Sequence, residues 1–316
     1  MRIKQILFGI GSYVPGVYSR FSRGTGGTDS AEYCYSVWLR HLVMAYKHGL
    51  LSKPPNIVAE LGPGDSLGVG LAALISGSNK YYAFDIVEHA SNAKNLEIFD
   101  QLVSFFRQKQ NIPGEDKFPK VKPYLESYEF PSNILTDEHL DKMLDKMRID
   151  SVRSTLINIK DINRPNYINY FVPWHNSNLI ANSTVDMIFS QAVLEHIDDL
   201  SSTYEKLYLW LKASGFMSHE IDFKCHGTAD KWNGHWAYSN VLWKVIKGNR
   251  PYLINRQPHS AHIKSLIQRG FEIVCDIKIQ DNAGIKKKEL AREFKNISDD
   301  DLTTSAAFIQ VKKSKD

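Results

Sequence analysis

Cysteine is scarce in this chain of 316 residues. The three present, Cys34, Cys225 and Cys275, lie far apart and form no Cys-x-x-Cys pair. They argue against a disulfide framework or a thiolate metal site and for a reducing compartment. Long apolar runs are missing too: none reaches the roughly 20 residues that a membrane-spanning helix needs. Residues 1–14 have a basic start and a short apolar run, but Gly9, Gly11 and the following Arg20 and Arg23 make a poor signal-peptide core. A cytoplasmic location is the expectation. A strong charge of one sign is absent as well. The net charge of +4 leaves an anionic substrate or surface open without demanding nucleic acid. There is no internal repeat or low-complexity tract, and the basic run at 286–288 reads as a solvated helix face. At 43% hydrophobic and 23% charged, the composition suits one large α/β domain, or one domain with an insertion.

The densest signal present is the stretch from Ile57 to Gly68. A short apolar run carries Glu60 near its end, breaks into a glycine-rich turn, and resumes as apolar residues from Val69 to Ile75. That pattern reads as a buried strand, a tight turn and a helix. Gly62 and Gly64 permit positive φ and let a ligand lie against the main chain. The amides opening the helix attract a polar or anionic group. A second run, Tyr81 to Ile86, places Asp85 25 residues after Glu60. In a βαβ unit such an acid accepts hydrogen bonds from ribose hydroxyls. A third strand-like run, Val185 to Phe189, delivers Ser190 and Gln191 to the sheet's carboxyl edge and leads into Leu194-Glu195-His196.

These segments, in this order, resemble the class I S-adenosylmethionine-dependent methyltransferases. The first motif, acid-x-Gly-x-Gly, is matched at Glu60, Gly62 and Gly64, and the acid closing strand two at Asp85. The segment Ser-x-x-x-Leu-Glu-His is matched at Ser190, Leu194, Glu195 and His196. The likeness directly covers about residues 56–90 and 180–225. It implies a Rossmann-like α/β fold: a seven-stranded, mostly parallel sheet with its last strand antiparallel and helices on both faces. It further implies S-adenosylmethionine as cofactor, held by Glu60, Gly62, Pro63, Gly64, Ser66, Asp85 and Ile86. Ser190 and Gln191 would complete the site, with Trp174 beside the adenine unless that residue is simple core.

Residues 1–55 read as an N-terminal loop and helical cap before a core at 56–316. Ser22 to Ser30 form a polar loop, either a linker or a lid over the cofactor. Asp29 or Ser30 caps the helix that follows. Arg40, within that helix, either pairs with the cofactor's methionine carboxylate or is solvated. Residues 98–165 carry helical patterns, at Leu102, Phe105 and Phe106 and at Leu140, Met143, Leu144 and Met147. They read as a helical insertion that either closes over the substrate or serves oligomerisation.

The chemistry concentrates after a fifth strand, about residues 216–223. Period-two alternation puts Glu220 and Asp222 on one face and His219 on the other. His196, Asp222 and His226 are the candidate catalytic residues, converging to deprotonate a hydroxyl. A divalent metal is the other route. The Glu195-His196 pair is similar to that of methyltransferases of ubiquinone synthesis and small-RNA ends, which use Glu-x-x-Glu-His with a metal. Here Ala192 stands at the first acid position, and no ligand set is assigned. Trp232, His235, Trp236, Tyr238 and Trp243, interspersed with Arg250 and Arg256, suit a sugar acceptor, with Trp243 and Val245 equally readable as core. The expectation is O-methylation of a glycan or other small molecule. The alternatives are a nucleic-acid methyltransferase, a nicotinamide-dependent oxidoreductase and a non-catalytic cofactor-binding subunit.

Overall fold

Buried apolar runs make the strands. Ile57–Leu61 (β1), Lys80–Phe84 (β2), Ile168–Phe171 (β3), Val185–Gln191 (β4) and Leu211–Asp222 (β5) run parallel, each pairing through its backbone ladder. Phe271–Gln280 (β6) and Thr304–Lys313 (β7) complete a seven-stranded sheet of order β3-β2-β1-β4-β5-β7-β6, with β7 antiparallel to both neighbours. This is the doubly wound mixed sheet expected from the sequence. The computed structural model describes residues 3–14, 27–159, 166–174, 177–250 and 253–314. Most of the polar loop at 22–30, and residues 160–165 of the insertion, lie outside them. No helix among the described residues is long and apolar enough to cross a membrane.

Alternation along the strands divides the core in two. Val58, Met187, Phe189 and Phe216 face one way and Ala59, Ile188, Met217 and Ile221 the other. The first face is covered by Ala31–Lys47 (α2), Gly68–Ser76 (α3) and Asn92–Arg107 (α4). The second is covered by Leu200–Trp210 (α7) and His259–Gln268 (α9). Ser30 caps α2 through Tyr33 N. Ile3–Gly11 (α1) packs on Asn240–Lys247 (α8), where a Cβ on Gly9 would stand 2.0 Å from the Val245 carbonyl oxygen. The N-terminal apolar run is thus a packed helix.

The stretch from 98 to 165 differs in detail from its sequence reading. Its opening residues finish α4, which begins at Asn92 behind the Ser91 cap. The apolar pattern from Leu140 to Met147 is two helices, Asp137–Met143 (α5) and Lys146–Ile157 (α6). Asp145 separates them because its carboxylate caps the second, accepting from Met147 N at 2.9 Å and Arg148 N at 3.3 Å. Met147 is consequently 80% exposed and not core. Ile112, Val121, Leu125, Ile134 and Leu135 pack the intervening chain onto the same core as α2 and α3. The last helix, Asp299–Thr303 (α10), leads into β7.

Candidate active site at the carboxyl edge of the sheet

The turn after β1 is held by its glycines. Gly62 and Gly64 have φ of 62° and 73°, a region that costs L-residues with a side chain. A Cβ on Gly62 would also meet Val193 at 2.6 Å. Asp85, just beyond β2, folds its carboxylate back on this turn, accepting from Ile86 N at 2.7 Å and from Gly64 N at 3.4 Å. Burial raises its pKa, and those amides oppose the rise. Ile86 beside it is 36% exposed, and Pro63 is buried in the turn. Glu60 points into the α3 face, where it accepts from the Tyr81 hydroxyl at 2.5 Å. Burial pushes its carboxyl up to about 8. Gly70 leaves room for that arrangement, since a Cβ there would strike the Tyr81 ring.

Ser66 is fully buried: its hydroxyl donates to Thr28 O and accepts from Gly68 N at 3.1 Å. With Asp65 N donating to Thr28 Oγ1 at 2.9 Å, it ties the chain before α2 onto the glycine turn. Trp174 is half-buried, 5.7 Å from the Phe84 ring and 6.0 Å from Trp210, and its amide donates to Asp85 O. Core packing and a place beside Asp85 therefore coexist. At the end of β4 two neighbours diverge. Ser190 bonds His219 Nδ1 at 2.8 Å on the α7–α9 face. Gln191 turns the other way, 3.2 Å from His41 Nε2 on α2, and donates to Lys122 O.

Beyond β4 and β5, the structure brings His196, Asp222 and His226 together. The His196 and His226 rings are 5.1 Å apart, and His226 Nε2 lies 3.4 Å from Asp222 Oδ2. Burial pushes the Asp222 carboxyl up, but His226 and Lys224 outweigh it and hold the group at about 2. Glu195, which the sequence reading paired with His196 at this edge, is 2% exposed; neither carboxylate oxygen makes a side-chain hydrogen bond, and His196 Nε2 stands 3.9 Å from Oε1. Burial, reinforced by the charges of Glu220 and Asp222, keeps its carboxyl well above the usual range; nearby backbone amides do not overcome this. Glu195, His196 and His226 each offer one ligand atom within 4.8 Å of the others. Glu220 also faces this side, its carboxyl pushed up to about 8 by burial and by Asp222. Tyr33 on α2 is within electrostatic reach of both Glu60 and Glu220. The sequence reading brought Glu195 and Glu220 to this edge without naming either a site residue, and it used Tyr33 only as a helix position; tertiary packing alone brings Tyr33 near them. His219 stays on the opposite face, as the alternation required.

Two sequence readings are corrected. Arg40 neither reaches the glycine turn nor meets solvent. It is fully buried and donates to the carbonyls of Pro113, Val121 and Pro123 and to Ser36 Oγ. The aromatics of 232–243 are not a sugar platform. Trp236, Trp243, Tyr238 and His235 are 0–7% exposed. Arg256 lies 4.8 Å from the ring centroids of both Trp243 and Phe294 and donates to the His235 and Tyr238 carbonyls. A cleft lined by His259, Ile263 and Asp276 lies at the β6 edge, four strands from β1, and holds none of the groups above.

No protein-family model matches the chain, and no curated protein matches its sequence. Solved structures similar to it include a putative S-adenosylmethionine-dependent methyltransferase from Listeria monocytogenes. That one is 14% identical with a TM-score of 0.40, over 88% of this chain and 98% of the other. A putative sarcosine dimethylglycine methyltransferase from Galdieria sulphuraria is 10% identical with a TM-score of 0.45, over 88% and 85%. A geranyl diphosphate C-methyltransferase from Streptomyces coelicolor A3(2), complexed with Mg²⁺, geranyl diphosphate and S-adenosyl-L-homocysteine, is 9% identical with a TM-score of 0.42, over 86% and 76%. At these values the likeness carries no functional argument, and the fold rests on the sheet order itself.

Proposed function

We propose that this protein is an S-adenosylmethionine-dependent methyltransferase acting on a hydroxyl of a glycan or another small molecule. The observation that carries the reading is the closure of Asp85 onto the Gly64 amide. It puts a carboxylate for a ribose and a bare main-chain turn for the rest of the cofactor side by side. The antiparallel β7 between β5 and β6 favours this over a nicotinamide-dependent oxidoreductase, whose usual six-stranded order ends without it. The carboxylate–histidine group beyond β4 and β5 opens at the same sheet edge, where ligands of doubly wound folds bind. Methyl transfer from a sulfonium is an in-line displacement, so aligning the acceptor oxygen is the first task. An alcohol must also lose its proton, for which His196 or His226, with Asp222 orienting the latter, is suited. With the 232–243 aromatics spent on core packing, the acceptor reading rests on this hydroxyl-directed chemistry alone.

Isothermal titration tests the cofactor. Wild type binds S-adenosylmethionine and not NAD, and Asp85→Ala weakens binding by about tenfold to a hundredfold, or roughly 1.5–3 kcal/mol. Equal affinity in the two proteins overturns the reading.

A further inference from the structure

We propose that α1 and α8 form a docking surface for an anionic lipid bilayer, with the apolar side chains of α1 entering the headgroup boundary. The primary observation is that α1 is packed inside out. Its polar Gln5 turns into the protein, donating to Gly227 O at 3.1 Å and accepting from Arg250 at 3.1 Å. Ser12, just past the helix, does the same: its hydroxyl donates to Gly9 O at 2.6 Å and accepts from Asn249 N at 2.7 Å. The outward side is apolar. Ile3, Leu7 and Ile10, at helical spacing, are 67%, 63% and 56% exposed, and Tyr13 and Val14 beyond them 67% and 55%. A helix on a water-facing surface carries the opposite pattern. Single exposed apolar residues need no explanation, whereas a run of them on one element marks an interaction site. Val241 and Val245 of α8 are exposed as well. The two helices are locked together there, since a Cβ on Gly248 would stand 2.1 Å from Gly9 O.

Charge selects the occupant. The first 28 residues contain no Asp or Glu, and none lies between Asp230 and Glu272. Both helices are therefore free of acids, and Lys4 and Lys244 stand exposed on them. Acids that reach α8 from elsewhere are engaged: Asp198 pairs with Lys247 at 2.5 Å, and Glu293 accepts from the Asn240 amide at 2.8 Å. A second copy of the chain, meeting this surface face to face, would set lysine against lysine. Nucleic acid would leave the apolar stripe in water. A layer of anionic headgroups over hydrocarbon meets both demands, with lysines reaching the phosphates and the Ile and Leu side chains at the acyl boundary. The surface also adjoins the candidate active site. Gln5 holds the Gly227 carbonyl beside His226, and Lys247 holds Asp198 just after His196. That the acceptor hydroxyl belongs to a molecule carried at a lipid surface rests on the methyltransferase reading above; the docking surface itself does not.

The test sediments full-length protein with vesicles of phosphatidylcholine, alone or mixed with phosphatidylglycerol, without cofactor or acceptor. Wild type binds the mixed vesicles, and binding weakens by about tenfold or more from low to high salt. Leu7→Ser with Ile10→Ser, which leaves the packing on α8 intact, weakens it by about tenfold or more. Lys4→Glu with Lys244→Glu weakens it by about tenfold to a hundredfold. Circular dichroism checks that each variant is folded. Asp85→Ala, which removes the candidate ribose contact, leaves vesicle binding unchanged, so the two readings fail separately. No binding of folded wild type to the mixed vesicles, or wild-type binding by both double variants, overturns the surface. So does a lipid-free dimer in sedimentation velocity that Leu7→Ser with Ile10→Ser dissolves, which would assign the stripe to a second copy.

Discussion

Raising the pH from 6.5 to 8 is expected to destabilise the protein, because folding traps protons on buried carboxyls. Glu60 and Glu220 hold theirs until about 8, chiefly through burial. In the unfolded chain glutamate ionises near 4.3. Between those values each binds one more proton folded than unfolded, so stability falls as pH rises. Glu195, raised for the same reason, adds to the fall. Four buried histidines pull the other way at lower pH. His41 is depressed to about 4 and His219, His235 and His262 to about 3, all chiefly by burial. Unfolded, they take up protons below about 6.5, so their contribution is complete above that pH and is lost as pH falls. The two sets oppose one another from about pH 5 to 6.5, and only the carboxyls act beyond. At roughly 1 kcal/mol per proton and pH unit, Glu60 and Glu220 together cost about 3 kcal/mol between pH 6.5 and 8. Urea unfolding across pH 5–9, with chelator present, reads this as a plateau followed by a decline. Glu220→Gln removes one of the three titrating carboxyls and shallows the decline by about a third. Stability that rises through pH 8, or a decline unchanged in Glu220→Gln, refutes the argument.

Two further substitutions test the glycine turn and His196 separately. Gly62→Ala places a methyl group 2.6 Å from Val193 at a φ of 62°, and is expected to cost about 2 kcal/mol or more in thermal unfolding and to weaken cofactor binding. His196→Ala is expected to lower turnover by about a hundredfold or more while isothermal titration shows nearly unchanged cofactor affinity.

The parallel core was legible because buried strands advertise themselves as short apolar runs ending in polar residues. Glu60 and Ser190 were placed in their strands, and Asp85 at the end of its own, on that basis. Side-chain direction was legible where alternation governs it, as for His219 against Glu220. It failed where composition is ambiguous. A stretch such as Trp232 to Trp243 looks alike whether it stacks on a sugar or on itself. What decides is tertiary: Trp236 Nε1 donates to Arg256 O, and the Arg256 guanidinium is spent on carbonyls. Glu195 was legible as a neighbour of His196 at the sheet edge, but its near-complete burial is a property of the packed neighbourhood.

Arg40 shows most plainly how distant sequence holds the carboxyl edge of the sheet. A buried guanidinium is costly unless its donors are met, and here backbone carbonyls meet them: Val121 O at 2.9 Å, Pro123 O at 2.7 Å and Pro113 O at 3.2 Å. Between the first two lies Lys122, whose carbonyl accepts from Gln191 at the end of β4. Gln191 in turn lies against His41, and His41 Nδ1 is 2.7 Å from Ser218 on β5. The strap at 113–123 is therefore fixed to α2 and to the strand ends that carry the candidate chemistry. Arg40→Met keeps much of the bulk but strands those carbonyls, so it is expected to cost about 3–5 kcal/mol in chemical denaturation. Hydrogen exchange should quicken first at 113–125 and then at Gln191, while Asp85 and the glycine turn keep their protection. Exchange that quickens uniformly over the whole sheet, or a loss below about 1 kcal/mol, would mean that the strap is held by its apolar contacts and not by Arg40.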